Sequence, residues 1–204
     1  MKEQLEGVGV TVFRGDRCLF EDLSFALGRG ELLVLEGKNG SGKTSLLRAI
    51  AGLLTLEEGE IRWGGEPVSK DRQAFRGNFA WLGHRTGLKA DLSPLENLRF
   101  DTRLRARNTQ PFDAVFARLG IERLRDLPVR LLSAGQQRRV ALARLLLADV
   151  PLWLVDEPFT NLDRDGRQLV LDIVSEHIEA GGVCAMAAHQ DVAVRGTIRR
   201  LSLS

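Results

Sequence analysis

The segment Gly37-Lys38-Asn39-Gly40-Ser41-Gly42-Lys43-Thr44 constrains this chain more than any other. It fits G-x-x-x-x-G-K-[ST], follows a compact apolar strand expected at Leu32–Glu36, and leads into a helix expected over Thr44–Gly52. Its glycines let the backbone fold tightly, so that successive N–H groups point at one anion. The helix N-terminus behind them adds a dipole that favours negative charge. Lys43 is placed to reach β and γ phosphates, and the Thr44 hydroxyl to ligate Mg²⁺. Gly37 through Ser45 are therefore the candidate nucleotide-binding residues. A chance glycine-rich turn does not account for strand, lysine and threonine all standing in place. Kinases, GTPases and motors carry such loops too, so the loop by itself leaves the reaction open.

With 204 residues, the chain is long enough for one well-cored domain, and 44% apolar and 27% charged residues make it globular rather than disordered. No run approaches the roughly 18 consecutive apolar residues of a membrane span, and the first residues lack the apolar core of a signal peptide. A cytoplasmic location is the expectation. Cys18 and Cys184 stand in no metal-binding pattern and are expected as buried or half-buried free thiols. The net charge of +2 demands no polyanionic partner. Arg99, Arg103, Arg105 and Arg107 read as a solvated helix face; with no aromatic stacking pattern to support it, nucleic-acid binding is not expected.

Short strands are expected at Val8–Phe13, Phe20–Leu27, Glu60–Trp63 and Phe79–Leu82, with Arg14-Gly15-Asp16 as a turn. From Pro94 to Leu147 the pattern is helical, broken at Pro111 and Pro128. A buried strand at Leu152–Val155, a helix over Arg167–Ala180 and a strand at Val183–Ala187 close the series. The order predicts an α/β fold: a P-loop core, a small antiparallel β lobe and a helical sub-domain at roughly 85–150 within one domain of 1–204.

Leu132-Ser133-Ala134-Gly135-Gln136 opens the last of the central helices, with Ser133 as a good N-cap and small neighbours that leave backbone N–H groups bare to an anion. Leu152–Val155 then delivers two carboxylates, Asp156 and Glu157, at its C-terminal end. Phe159-Thr160-Asn161-Leu162-Asp163 follows, and Ala187-Ala188-His189-Gln190 ends a strand with a histidine. In order and spacing this set resembles the ABC ATPases along essentially the whole chain: P-loop, signature motif (usually LSGGQ), Walker-type carboxylates, D-loop (usually SALD) and switch histidine. The resemblance implies that Asp156 holds Mg²⁺ and that Glu157 acts as general base or water-orienting group. It implies that His189 keeps Glu157 and the water aligned, and that Ser133, Ala134, Gly135 and Gln136 meet the γ-phosphate of ATP on a second subunit, with Asp163 crossing that interface.

Two positions depart from the family pattern. His84 stands where glutamine is usual; it either meets Mg²⁺ or the water through a ring nitrogen or is a surface histidine with no catalytic part. The chain has no tyrosine to stack on adenine; Phe13 lies at about the right distance upstream and either takes that role or packs in the core. The stretch Trp81-Leu82-Gly83-His84, with Gly87-Leu88-Lys89, Leu95–Phe100, Leu131–Leu147 and Pro151–Leu162, is similar to the haem-exporter ATP-binding subunits of bacterial cytochrome c maturation, where histidine replaces that glutamine. Arg85 stands where that family is expected to have glutamine. This resemblance implies a homodimer on the cytoplasmic face of the inner membrane, bound peripherally to integral membrane permease subunits. No C-x-x-C-H motif is present, so direct haem binding is not expected. The alternatives are an ABC transporter ATPase for another solute, a soluble ABC protein acting on ribosomes or DNA, and a degenerate regulatory module. Retention of Lys43, Asp156, Glu157 and His189 argues against the last. Lys43→Ala is expected to weaken nucleotide binding, measured by equilibrium titration; normal affinity would contradict the phosphate-binding role of the loop.

Overall fold

A computed structural model describes residues 4–105 and 111–203. Its centre is a five-stranded sheet in the order β6-β7-β8-β3-β9, with every pairing parallel. The strands are β3 (Glu31–Glu36), β6 (Phe79–Leu82), β7 (Leu152–Asp156), β8 (Val183–Ala187) and β9 (Thr197–Ser202). A second sheet, β2-β1-β4-β5, is antiparallel and built from β1 (Leu5–Arg14), β2 (Arg17–Leu27), β4 (Glu58–Trp63) and β5 (Glu66–Pro67).

The apolar run of β3 is continuous because both faces of the parallel sheet are covered. Leu32 and Val34 enter one core with Trp153, Val155, Cys184 and Met186, beneath the helices α5 (Ala134–Leu147) and α6 (Arg164–Glu179). Leu33 and Leu35 enter the opposite core with Leu154, Ala185 and Ala187, against Leu46, Leu47 and Ile50 of α1 (Lys43–Ile50). The period of two along each strand thus divides one apolar sequence between two cores. The antiparallel sheet packs on the α1 side through Leu5, Val10, Val12 and Leu27.

The helical stretch holds α3 (Pro94–Arg105), α4 (Phe112–Leu119), two short 3₁₀ turns and α5, following α2 (Arg72–Arg76) earlier in the chain. At α5, Ser133 and Gln136 form a reciprocal capping box: Gln136 N–H donates to Ser133 Oγ at 3.3 Å, and Ser133 N–H to Gln136 Oε1 at 2.9 Å. Asp163 caps α6, its carboxylate accepting from Gly166 N–H at 2.8 Å. Among the described residues no helix is long and apolar enough to cross a membrane.

Some elements differ from expectation. The segments β5, α2 and β9 carry no apolar periodicity that announces them. Edge strand β9 is polar and exposed on most positions, and is held by its ladder to β3 and by the Arg199–Glu31 pair at 2.8 Å. Cys184 is buried as expected, but Cys18, near the start of β2 just after the turn, is exposed. Arg99 and Arg103 are exposed on α3; the side chain of Arg105, and Arg107 altogether, lie outside the described residues.

His177 of α6 stacks on Trp153 of β7, with ring centroids 3.9 Å apart and planes 4° from parallel, and its Nε2 faces the Val183 carbonyl at 3.3 Å. Burial pushes its pKa down to about 4. The unfolded chain therefore binds the extra proton between roughly pH 6.5 and 4. Stability contributed by neutral His177 is present above about pH 6.5 and lost as pH falls through about 4. Urea midpoints measured across that window should fall with pH in the native chain and fall less in His177→Phe; parallel curves would contradict this.

Candidate active site

All strands of a parallel sheet end on the same edge, and ligands bind in the crevice beyond those ends. Here β3 runs into the glycine loop, β7 into Asp156 and Glu157, β8 toward His189, and β6 into Gly83 and His84. Beside β8, the register sets Leu35 against Ala187 on one side and Asp156 against Ala187 on the other. Residues more than a hundred positions apart in sequence are thus brought to one rim.

A cleft of about 770 Å³ lies there, lined by Phe13, Asn39, Gly40, Gly42, Lys43, Thr44, Ser45, His84, Glu157 and His189, among others. Gly37, Lys38 and Ser41 of the glycine loop are not among the residues that line the cleft. Gly37 has φ 144, and a Cβ on it would lie 2.4 Å from the Leu203 carbonyl oxygen and 2.5 Å from Ser41 Oγ. Only glycine fits that approach. Lys43 is 6% exposed, and its Nζ donates to the Gly37 and Lys38 carbonyls at 2.7 and 3.1 Å. Ser41 Oγ is buried without a hydrogen-bond partner. A folded-back ammonium and an orphaned hydroxyl suit a loop shaped for phosphate oxygens.

Thr44 Oγ1 lies 3.0 and 3.1 Å from the two carboxylate oxygens of Asp156, which is 2% exposed. Hard oxygen donors from a hydroxyl and a carboxylate beside a phosphate loop fit Mg²⁺ chemistry. Glu157 adopts φ 51, a left-handed conformation unusual for a side-chain-bearing residue. Its N–H donates to the Ala187 carbonyl at 2.9 Å, and its Oε1 lies 2.9 Å from His189 Nε2. Burial raises the Glu157 pKa above the ordinary carboxylate value, an effect countered by His189 and Lys43, reinforced by the Asp156 charge and countered by His84. A carboxylate with raised basicity, held by a histidine and facing a phosphate cradle, is equipped to polarise a water.

Phe13 is 45% exposed and borders the cleft rather than a core, so its ring is open to a planar base. His84 borders the same cleft. Ser133, Ala134, Gly135, Gln136 and Asp163 do not: they line a separate cleft with Arg139, Asn161 and Leu162. At Gly135 a Cβ would stand 2.8 Å from the Asn161 carbonyl oxygen, so the α5 N-terminus and the loop before α6 meet without room for a side chain. Asp163 also faces Arg139 at 3.7 Å.

Arg138 is a residue that the motifs did not single out. It is 2% exposed, and its guanidinium reaches the backbone of both Asp156 and Glu157. Two adjacent arginines at the head of a helix whose second half is largely apolar all round were the available signal, but nothing in the pattern tells which one turns inward.

Residues 20–160 match the family described as ABC transporter. The chain is 48% identical, over 96% of its length and 96% of the relative's, to a protein of Methylococcus capsulatus named cytochrome c biogenesis ATP-binding export protein CcmA. A Yersinia pestis protein of the same name is 42% identical across 98% of this chain and 93% of its own length. Among solved structures, a putative ABC transporter ATP-binding protein from Pyrococcus furiosus shares the fold with TM-score 0.83, covering 98% of this chain and 97% of that one at 24% identity.

The raised Glu157 pKa has a kinetic consequence. Turnover that requires the carboxylate should fall as pH drops through its pKa, with the acid limb above pH 4.5. His189 lowers that pKa, so in His189→Gln the limb of the residual activity should move to higher pH. An acid limb that stays fixed would break the link between the two residues.

Proposed function

Because the chain belongs to the ABC transporter family, we propose that it is the ATP-hydrolysing subunit of an export complex serving cytochrome c biogenesis. ATP hydrolysis would drive haem export or the release of haem from a periplasmic haem chaperone. One observation carries the catalytic part: Glu157, held by His189 at 2.9 Å, borders the same cleft as Lys43 and Thr44 of the phosphate loop. The cytochrome c part is supported by 42–48% identity along nearly the full chain to the named export proteins.

In this reading Lys43 leaves the loop carbonyls to meet the β and γ phosphates, while the N–H groups of Gly37–Ser45 cradle them. The Thr44 hydroxyl and the Asp156 carboxylate would hold Mg²⁺, which would supply charge neutralisation to the phosphates. Glu157 orients the attacking water and draws on its proton. His189 fixes the Glu157 carboxylate and donates toward the γ-phosphate, and His84 is a further contact to the cation or the water. Phe13 stacks on adenine.

The signature residues Ser133, Ala134, Gly135 and Gln136, with Asp163, belong to a different cleft from the phosphate loop of their own chain. A second copy of the chain, turned about a two-fold axis, would bring each signature helix to the other's nucleotide. The chain is read as one ABC ATP-binding domain over 1–204, with the helical sub-domain at roughly 85–150. Its partners would be integral permease subunits, which hold it on the cytoplasmic face of the inner membrane. Neither nucleic acid nor haem is a ligand of this subunit in that arrangement.

Glu157→Gln is expected to retain ATP affinity, accumulate an ATP-bound dimer on size exclusion and lose turnover by about 100-fold or more. Unchanged steady-state hydrolysis would remove Glu157 from its role. Deletion of the gene should abolish covalent haem on periplasmic c-type cytochromes, with rescue by wild type and not by Glu157→Gln. Normal haem attachment in a strain with no second copy would discard the cargo.

A further inference from the structure

Arg138 sits on α5, two residues beyond the signature residues, and its side chain turns away from solvent into the ends of β6 and β7. Nε donates to the Pro158 carbonyl at 3.1 Å and Nη1 to the Gly83 carbonyl at 2.7 Å. Nη2 donates to the carbonyls of Asp156 and Glu157 at 3.0 and 2.6 Å. These bonds run to main-chain oxygens rather than to a carboxylate. Burying a guanidinium is costly, and an apolar residue of similar volume would fill the space more cheaply. The charge makes physical sense if what it holds must stay in one place.

What it holds is the backbone of the proposed base. A peptide unit is planar, so fixing its carbonyl fixes the whole plane. The plane before Glu157 is pinned twice, by Arg138 at the Asp156 oxygen and by the Ala187 carbonyl at the Glu157 N–H. The plane after it is pinned at the Glu157 oxygen. With both planes set, the left-handed φ of 51 is held and the direction of the Glu157 Cα–Cβ bond is fixed. The same guanidinium anchors Gly83, the residue before His84. Arg144, further along α5, bonds the Thr86 and Gly87 carbonyls at 2.5 and 3.2 Å and pairs with Asp101 of α3. The segment from Gly83 to Gly87 is therefore tied to the signature helix at both ends.

We propose that Arg138 is a positioning residue for hydrolysis: through the carbonyls of Gly83, Asp156, Glu157 and Pro158 it sets the Glu157 carboxylate and couples it to the signature helix. The proposal rests on Glu157 being the base. Burial pulls the Arg138 pKa down to about 10, with Asp156 and Glu157 opposing the fall, so the group remains a cation at neutral pH. Any turn of α5 on engaging a partner's nucleotide would be passed directly to the base and to His84. Arg139, its neighbour, instead lines the signature cleft and bonds the Leu119 carbonyl at 3.2 Å.

The test uses the full chain with Arg138→Lys and Arg138→Gln, measured for thermal midpoint, affinity for a fluorescent ATP analogue with Mg²⁺, KM and kcat, beside Glu157→Gln. Lysine keeps the charge but lacks the planar fork that spans several carbonyls. The expected result is affinity and KM within about threefold of wild type, with kcat lowered about tenfold for lysine and about 100-fold for glutamine, as a misplaced base produces. A kcat within about threefold of wild type in either variant, beside an inactive Glu157→Gln, would overturn this proposal alone. Loss of turnover only in step with lost affinity and thermal stability would make Arg138 a folding residue and also overturn it. Full turnover in Glu157→Gln would instead overturn the base assignment on which the proposal stands.

Discussion

Parallel strands cannot be joined by hairpins, so every strand of the central sheet must be followed by a crossover that returns the chain to the opposite end. That constraint organises the rest of the protein. It covers both faces of β3, β7 and β8 with helices or with the antiparallel sheet, and it makes their sequences apolar without alternation. It also points every strand end the same way. Backbone pairing stops at that edge, and the polar groups left there are free for other work. The glycine loop, the two carboxylates, His84 and His189 all occupy this edge, on strands whose neighbours in space are β6-β7-β8-β3.

Charges at such an edge are held in buried or half-buried settings, where position matters more than number. Asp156 is buried to 2% exposure and accepts from Thr44, while Glu157, one residue later, is pushed toward protonation by burial and held back by His189 and Lys43. Adjacent carboxylates in one chain thereby have different surroundings and different chemistry available to them. The difference arises because the chain leaves the strand between them: Asp156 still pairs with β8, whereas Glu157 turns into a left-handed conformation. That turn is secured from behind by Arg138, a cation whose hydrogen bonds run to carbonyls and leave the Glu157 carboxylate at the cleft.

Much of this was legible beforehand, for identifiable reasons. The phosphate loop, the capped helix at Ser133 and the strand bearing Asp156 and Glu157 are short-range features, and the residues that define each lie within one turn or one strand of each other. The strands at Phe79–Leu82 and Val183–Ala187 appear where their apolar runs lie. Edge strand β9 was not legible, because its partner is β3, more than 160 residues earlier, and its own residues are mostly polar and exposed. The exposure of Phe13 was not legible either: the same phenylalanine could have packed in a core or bordered a cleft, and the position of β1 at the rim decided for the cleft.

The family and the α/β class were legible in the sequence, and it singled out the candidate residues for phosphate-binding and carboxylate chemistry, since these depend on local spacing and residue type. Tertiary structure alone decided which of those residues meet. It set Thr44 against Asp156 and His189 against Glu157, placed Ser133–Gln136 and Asp163 in a different cleft, and turned Arg138 rather than Arg139 into the core. The physical reason is that hydrogen bonds and burial are short-ranged. They act between groups that the folded chain makes adjacent, however far apart those groups stand in the sequence.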